Sequence, residues 1–141
     1  MENCIFCKIA KNEIESKVIY EDDTCMALLD INPVSEGHSI IIPKNHYESV
    51  SDVDEKILKK LILVAKEVGE KSKTLLGATG YNILNATGKD AQQSVFHLHF
   101  HVVPRYKNDN LDLWFHGKGA ERVDIVKTFE KYKTSTSHNS R

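Results

Sequence analysis

This 141-residue sequence has few features of exported, membrane-spanning or nucleic-acid-binding chains. Its longest apolar runs, such as Cys25–Leu29, are far too short to cross a bilayer. The first residues have neither the basic stretch nor the apolar stretch of a secretory signal. With 19 basic and 20 acidic residues, the formal net charge is -1, which disfavours a strongly basic nucleic-acid-binding protein. We therefore expect a cytoplasmic protein that binds neither membranes nor nucleic acids.

Cysteine is also scarce. Three cysteines, an odd number without an export signal, do not support a disulfide framework. Cys25 lies in an apolar run, where we predict a small buried side chain. Cys4 and Cys7 stand three residues apart, a spacing that suits either a metal ion or a redox dithiol. A zinc ion bound there would need two further ligands, and histidine is the natural candidate.

The content that is present, 40% hydrophobic and 28% charged residues, is typical of a globular domain. Apolar residues at helical spacing predict one long helix that ends at Gly77, with Ser51 and Asp54 as a capping box at its start. Shorter helices are predicted over 5–13 and 120–133, and strands over 17–21, 24–30, 38–43, 81–85 and 95–103. Short turns and one long helix connect the strands, so we predict an α+β fold with an antiparallel sheet.

Three of the seven histidines fall within five residues, at His97, His99 and His101. Side chains on a strand alternate between faces, so these three imidazoles are predicted to share one face. The opposite face would carry the apolar residues Phe96, Leu98, Phe100 and Val102. Core packing does not explain three polar rings in a row, because each buried ring needs a hydrogen-bond partner.

Two kinds of chemistry fit this row of histidines. Two or three of them could be metal ligands. Alternatively, one imidazole could attack a phosphate while another supplies positive charge. Gln93 and Ser94 lie just before the row, and Asn85 closes the preceding predicted strand. The polar loop between them could surround an anion. The residues alone leave both readings open.

The segment Gln93–Val103 resembles the histidine-triad (HIT) family, whose hallmark is His-x-His-x-His followed by two apolar positions. Leu29–Pro33, followed by Gly37-His38, looks like the family's nucleoside-binding strand and loop. Ile41–His46 resembles its IPKxH segment, and Cys4–Ile9 resembles the N-terminus of its zinc-containing bacterial members. Together these motifs cover about residues 4–106.

The resemblance implies a five-stranded antiparallel sheet with one long helix and a short N-terminal helix. It also implies a homodimer in which the two sheets join. Family members hydrolyse or transfer nucleoside monophosphates, including adenosine phosphoramidates and dinucleoside polyphosphates, with a tendency towards purines. We expect a single domain over 1–141, with a core at 4–106, a C-terminal extension at 107–133 and a polar tail at 134–141.

By this resemblance, three residues are catalytic. His99, the middle histidine, would be the nucleophile that attacks the α-phosphorus and forms a nucleotidyl-imidazole intermediate. His101 would bind the phosphate and stabilise charge in the transition state. Ser94 would contact the phosphate or the leaving group.

The resemblance also assigns substrate-binding residues. Asp30 would accept hydrogen bonds from the ribose hydroxyls. Asn85 and Gln93 would complete the phosphate and leaving-group side. The residue before Gln93 is often glycine in the family and is Gln92 here.

For zinc, the resemblance implies a structural site with four ligands. Cys4 and Cys7 would be joined by His46 and by His97, the first histidine of the triad. The alternative is that the two cysteines are reduced thiols on a short helix.

Two other functions compete with a nucleotide hydrolase. One is a non-catalytic nucleotide-binding or interaction module on the same fold. The other is a metalloenzyme in which all three triad histidines bind one ion. For His38 we expect a structural role, and for Trp114 and Phe115 core or dimer contacts.

Overall fold

A computed structural model describes residues 3–117 and 119–134. Its contacts divide the chain into two units, Met1–Asn110 and Leu111–Arg141. Among the described residues, no helix is both long enough and apolar enough to cross a membrane.

The first unit is built on a five-stranded antiparallel sheet, as the sequence predicts. The strands lie side by side in the order β1-β2-β3-β5-β4. Their bounds are β1 Val18–Glu21, β2 Cys25–Leu29, β3 Ser39–Pro43, β4 Gly80–Leu84 and β5 Phe100–Arg105. Because β3 lies against β5, side chains more than 60 residues apart in the sequence become neighbours.

Two helices cover opposite faces of this sheet. The long helix α2, Glu55–Leu76, buries Leu61, Val64 and Ala65 with sheet residues of one face. The short helix α1, Ile5–Ala10, packs Phe6 and Ile9 against the other face. Each buried aliphatic or aromatic side chain contributes roughly 1.5–3 kcal/mol, so both faces stabilise the sheet. The predicted burial of Cys25 is confirmed, since that thiol is fully buried on the α2 side.

The ends of α2 are fixed by two local signals. Gly77 adopts a left-handed conformation (φ 79°) just after the last helical residue, which confirms the predicted C-terminal stop. At the other end the predicted capping box is wrong. Asp54 is itself the N-cap, and its carboxylate accepts a hydrogen bond from the Ile57 amide at 2.9 Å. The helix therefore begins at Glu55, after the turn that contains Ser51.

The strand predicted over 95–103 begins only at Phe100, so His101 lies on β5, whereas His97 and His99 lie in the irregular segment before it. The pairing of β5 with β3 stops at Ile41↔Phe100. Pro43 has no N–H to extend the ladder, and its carbonyl accepts a hydrogen bond from the His97 ring instead. Side chains nevertheless continue to alternate between the two faces of the sheet in the irregular segment that precedes Phe100. Leu98, Phe100 and Val102 join the core on the α2 side, whereas the histidines face α1. Phe96 departs from the predicted apolar face, because 44% of it is exposed.

The second unit carries helix α3, Ile125–Lys133, which starts at the N-cap Asp124. This is shorter than the predicted 120–133, and its apolar side chains are exposed within the chain. Trp114 and Phe115 are 63% and 75% exposed within the chain, so they are not core residues, and the alternative of dimer contacts stays a prediction. The predicted polar tail lies outside the described residues beyond Thr134.

Candidate active site and metal cluster

The pairing of β3 with β5 sets the layout of the site. Ile40 pairs with His101, and β3 runs antiparallel to β5, so His38 lies at the His101 end. Pro43 and the following His46 lie at the opposite end, beside His97. His99 stands between these two ends, with its ring centroid 5.1 Å from that of His101.

Four potential ligands meet at the His97 end, and we call them the metal cluster: Cys4, Cys7, His46 and His97. Their ligand atoms all lie within 4.8 Å of one another. Nδ1 of His97 is 3.3 Å from the Cys4 sulfur and 3.5 Å from the Cys7 sulfur. Nδ1 of His46 is 3.4 Å from the Cys7 sulfur. The sequence prediction that these four residues would converge agrees with this geometry.

A backbone carbonyl sets the tautomer of His97. The Nε2–H of this fully buried ring donates to the carbonyl oxygen of Pro43 at 2.8 Å. Burial lowers the pKa of His97 to about 4, so the ring is neutral near pH 7. Nδ1 therefore presents its lone pair to the two cysteine sulfurs. Two thiols and two imidazoles, one of them oriented by a carbonyl, fit the tetrahedral requirements of zinc.

His99 is held in the tautomer that a nucleophile needs. Its Nδ1–H donates to the backbone carbonyl of His97 at 2.8 Å, which leaves the Nε2 lone pair free. The Phe6 ring packs edge-on against this imidazole at a centroid distance of 5.2 Å. The Asn85 amide donates to the backbone carbonyl of His99 at 2.9 Å. Asn85 thus orients the backbone segment that carries the His99 imidazole.

A second group forms at the other end, and we call Asp30, His38 and His101 the relay cluster. The Val34 amide donates to Nδ1 of His38 at 3.1 Å, so a neutral His38 ring carries its proton on Nε2. That N–H donates to Nδ1 of His101 at 2.9 Å. The proton of a neutral His101 must then lie on its own Nε2. Asp30 approaches His38 from the side, with 3.5 Å between Oδ2 and Nε2.

Burial keeps this relay neutral. It lowers the pKa of His101 to about 4 and also lowers the pKa of His38, although the Asp30 carboxylate opposes both shifts. The ligand atoms of the relay cluster also lie within 4.8 Å of one another. A metal ion there would require a lone pair on Nε2 of His38, and that position carries the proton. The arrangement therefore suits hydrogen-bond donation rather than metal binding.

A structural role was expected for His38 from the sequence, and its contact with the triad was not predicted. In the structure His38 bonds directly to His101. The short spacing from Asp30 to His38 was the available signal. Their meeting with His101 depends on the neighbouring positions of β3 and β5, 63 residues apart in the sequence.

The polar loop before the histidines is organised by Gln93. Its amide nitrogen donates to the carbonyls of Glu48 (2.7 Å) and Val95 (3.1 Å), and its oxygen accepts from the Gly88 amide (2.8 Å). Both amide donors are thus used within the protein, and the side chain orders the loop. Gln92 adopts the left-handed region at φ 71°, a conformation that favours glycine.

Ser94 is exposed and lines a cavity of about 720 Å³ on the metal-cluster side. The other residues that line this cavity, here called the Ser94 cavity, are Asn3, Cys4, Ile5, His46, Val95 and Phe96. The six residues proposed from the sequence for catalysis and substrate binding therefore separate. One group lies along the same stretch of the sheet and contains His99, His101 and Asp30. A second group, Asn85 and Gln93, makes hydrogen bonds to backbone carbonyls. The remaining residue, Ser94, lines the cavity.

Comparison with known proteins agrees with this fold. The HIT domain family model matches residues 11–108. An uncharacterized HIT-like protein of Borreliella burgdorferi is 46% identical over 99% of this chain and 99% of its own length. The chain belongs to the HIT family.

Two further relatives bear on chemistry. An adenosine 5'-monophosphoramidase of Saccharomyces cerevisiae is 38% identical over 92% of this chain and 78% of its own length. The crystal structure of a zinc-bound histidine triad family protein from Mycobacterium smegmatis is 30% identical, with a TM-score of 0.77. That match covers 95% of this chain and 99% of the other.

Proposed function

We propose that this protein is a nucleotide hydrolase or nucleotidyl transferase that cleaves at the α-phosphate of adenosine phosphoramidates or dinucleoside polyphosphates. One observation carries the proposal. The His97 carbonyl accepts the Nδ1–H of His99, which leaves the lone pair on Nε2 of His99 free. The neighbouring His101 ring carries its proton on its own Nε2, because its Nδ1 accepts from His38. An available nucleophile beside a fixed hydrogen-bond donor is what phosphoryl substitution requires.

The reaction would proceed in two displacements. Nε2 of His99 attacks the α-phosphorus, and the bond from phosphorus to the leaving group breaks. Water then attacks the same phosphorus. The bond between phosphorus and Nε2 of His99 breaks, and its electron pair returns to Nε2. The leaving group takes up one proton and the attacking water releases one, so the enzyme returns to its starting state. Throughout, His101 donates from Nε2 to a phosphate oxygen as negative charge develops.

The remaining residues take supporting roles in this proposal. Asp30, a partly buried carboxylate at the relay end, accepts hydrogen bonds from the ribose hydroxyls. Asn85 and Gln93 hold the backbone around the phosphate, and Ser94 faces the leaving group. The monophosphoramidase activity named for the yeast relative supports this substrate class.

We also propose that the metal cluster holds a structural zinc ion. Cys4, Cys7, His46 and His97 would be its ligands, and the ion would fix α1 beside the triad. The zinc-bound family member supports this assignment. We further propose, from the family resemblance, that the protein is a homodimer. Gel filtration with light scattering would measure its molar mass in solution.

Replacement of the nucleophile tests the reaction. We expect His99→Ala to lower turnover of adenosine phosphoramidate by more than about 10³-fold, because the covalent route is removed. His116→Ala, the same change at an exposed histidine of the second unit, is the control. Mass spectrometry of the wild-type enzyme, quenched and kept at alkaline pH where the phosphorus–imidazole bond survives, should detect one added nucleoside monophosphate.

Full activity of His99→Ala would contradict the proposal. A wild-type protein that binds nucleotide without turning over any substrate would instead indicate the non-catalytic module.

A further inference from the structure

We propose that Cys4 and Cys7 form a peroxide-sensitive modification site, in which oxidation to a disulfide abolishes zinc binding at the metal cluster. This inference rests on the proposed zinc site, and it adds a second, reversible state to the same two cysteines. Their spacing suits either a metal ion or a redox dithiol. The two uses exclude each other at any one moment, because both require the same sulfurs.

The two sulfurs lie close together at the first turn of α1. Cys4 is the N-cap of this helix, and its sulfur accepts a hydrogen bond from the Cys7 amide at 3.4 Å. The ligand atoms of the metal cluster, these two sulfurs included, all lie within 4.8 Å of one another. Because both side chains belong to one turn, their rotation and a small local shift can bring the sulfurs to the bonded distance of about 2 Å.

The cysteines differ in their access to solvent. Cys4 is partly exposed and lines the Ser94 cavity, so a molecule as small as hydrogen peroxide can reach its sulfur. Cys7 is only 7% exposed. Oxidation follows thiolate character and exposure, so Cys4 reacts first and Cys7 resolves the product. The third thiol, Cys25, is fully buried on the α2 side of the sheet, where burial protects it.

The oxidation consumes one hydrogen peroxide for each pair of cysteines. The Cys4 sulfur attacks a peroxide oxygen, the O–O bond breaks, and a sulfenic acid and one water form. The Cys7 sulfur then attacks the Cys4 sulfur, the S–O bond breaks, and a disulfide and a second water form. Two electrons pass from the sulfurs to the peroxide. Two protons enter the waters, from the thiols or, when the sulfurs are thiolates, from solvent.

The disulfide removes half of the donors of the metal cluster. Its sulfurs carry no negative charge, so only the imidazoles of His46 and His97 remain as ligands. Two neutral imidazoles hold a divalent cation far more weakly than a set that includes two thiolates. Zinc affinity therefore depends on the redox state of Cys4 and Cys7. Reduction of the disulfide by a thiol restores all four ligands.

The test follows zinc and thiols in the zinc-loaded wild type. Hydrogen peroxide should release the zinc, which a pyridylazo chelating dye detects, and dithiothreitol with added zinc should restore it. Trypsin cuts after Lys8, so one peptide, residues 1–8, contains both cysteines. The mass of this peptide should fall by two hydrogen atoms as zinc leaves, and oxidation of Met1 is told apart because it adds oxygen. Cys25 should stay open to alkylation by N-ethylmaleimide in denaturant.

Two variants separate the disulfide from general damage by peroxide. Cys4→His supplies another zinc ligand but cannot form the disulfide, so it should release zinc at least about tenfold more slowly than the wild type. Cys25→Ala removes the thiol on the other face of the sheet and should release zinc at the wild-type rate. If Cys4→His binds no zinc, the mass of the wild-type peptide still decides the question.

The inference fails if the wild type keeps its zinc at peroxide concentrations that oxidise Cys25. It also fails if zinc leaves while both thiols of the peptide 1–8 stay reduced, or if these cysteines gain oxygen instead of forming a disulfide. Failure of the proposed zinc site gives a different result, because the wild type would then hold no zinc before peroxide is added. Failure of the proposed hydrolase changes none of these readouts, since no substrate is used.

Discussion

The metal cluster and the relay cluster stand at opposite ends of the same pair of strands, and each contains one histidine of the triad. In the metal cluster, His97 donates to the Pro43 carbonyl, so its other nitrogen presents a lone pair. In the relay cluster, His38 accepts from the Val34 amide, so its other nitrogen presents a proton. The Pro43 carbonyl therefore leaves the metal cluster with a nitrogen lone pair that can coordinate a cation. The Val34 amide leaves the relay cluster with an N–H that can donate a hydrogen bond.

Proximity of potential ligands therefore does not by itself identify a metal site. Both clusters bring their ligand atoms within 4.8 Å of one another. The hydrogen bond on the far side of each imidazole decides whether the near side can coordinate a cation or donate a proton. His99 lies between the clusters and depends on both, because the His97 carbonyl fixes its tautomer and His101 lies beside its ring.

The largest expected effect removes the metal cluster. Metal analysis should detect about one zinc ion per chain in the wild type. We expect the double variant Cys4→Ser/Cys7→Ser to lose this zinc. Its free energy of unfolding should fall by several kcal/mol, because binding of a structural metal contributes directly to folding. Calorimetry measures that loss.

The matched variant on the other side of the comparison is Asp30→Asn, which should keep its zinc. The comparison would be reversed if Asp30→Asn lost the metal and the cysteine variant kept it.

The next effect interrupts the relay. His38→Ala should lower kcat/KM about 100-fold with zinc content unchanged, because His101 loses the donor that fixes its tautomer. His38→Gln places an amide N–H near the same position and should recover part of the rate. Steady-state kinetics on adenosine phosphoramidate measure both variants. Equal rates for the alanine and glutamine variants would show that His38 acts only by packing.

A third prediction concerns acid sensitivity at the relay end. The folded-state pKa of His101 is about 4, below the ordinary value near 6.5. Between these values the unfolded chain binds more protons, so this group makes the protein less stable as the pH falls from about 6.5 towards 4. We expect His101→Gln to remove about 2 kcal/mol of the stability difference between pH 7 and pH 5.

Urea unfolding at the two pH values measures this difference. The metal cluster is present in both proteins, so its own pH dependence cancels in the comparison. An unchanged pH dependence in His101→Gln would show that His101 titrates normally in the folded protein.

The smallest effect concerns the loop next to the metal-cluster end. Gln92 has a left-handed backbone that glycine adopts freely and a β-branched residue resists. Gln92→Gly should change the free energy of unfolding by less than about 0.5 kcal/mol, whereas Gln92→Val should lower it by about 1–2 kcal/mol. Zinc content should stay the same in both variants. Equal stability of the two variants would contradict the backbone assignment.

Much of the fold could be predicted because its signals are local. The helical spacing of apolar residues and the stop at Gly77 specify α2 without reference to any distant residue. The five strands were predicted for the same reason, from short apolar segments between turns. The start of β5 could not be predicted in this way, because it depends on Pro43 in another strand.

The residues of the site also differ in whether the sequence could predict their contacts. The convergence of the four metal-cluster residues agrees with the sequence motifs, and the assignment of zinc and of catalytic roles stays a prediction. The hydrogen bond from His38 to His101 could not be predicted, because it joins residues 63 positions apart that only the folded sheet brings together. Gln93 was expected to meet substrate, and only the structure shows its amide bonded to Glu48, Val95 and Gly88.

By itself, the sequence determined which residues could do chemistry and that the triad histidines share one face, since alternation along an extended chain is a local property. Only the tertiary structure decided what each imidazole presents. The tautomers depend on the Pro43 carbonyl at one end and the Val34 amide at the other. Those groups reach the histidines because β3 lies beside β5, and that adjacency is a property of the folded sheet.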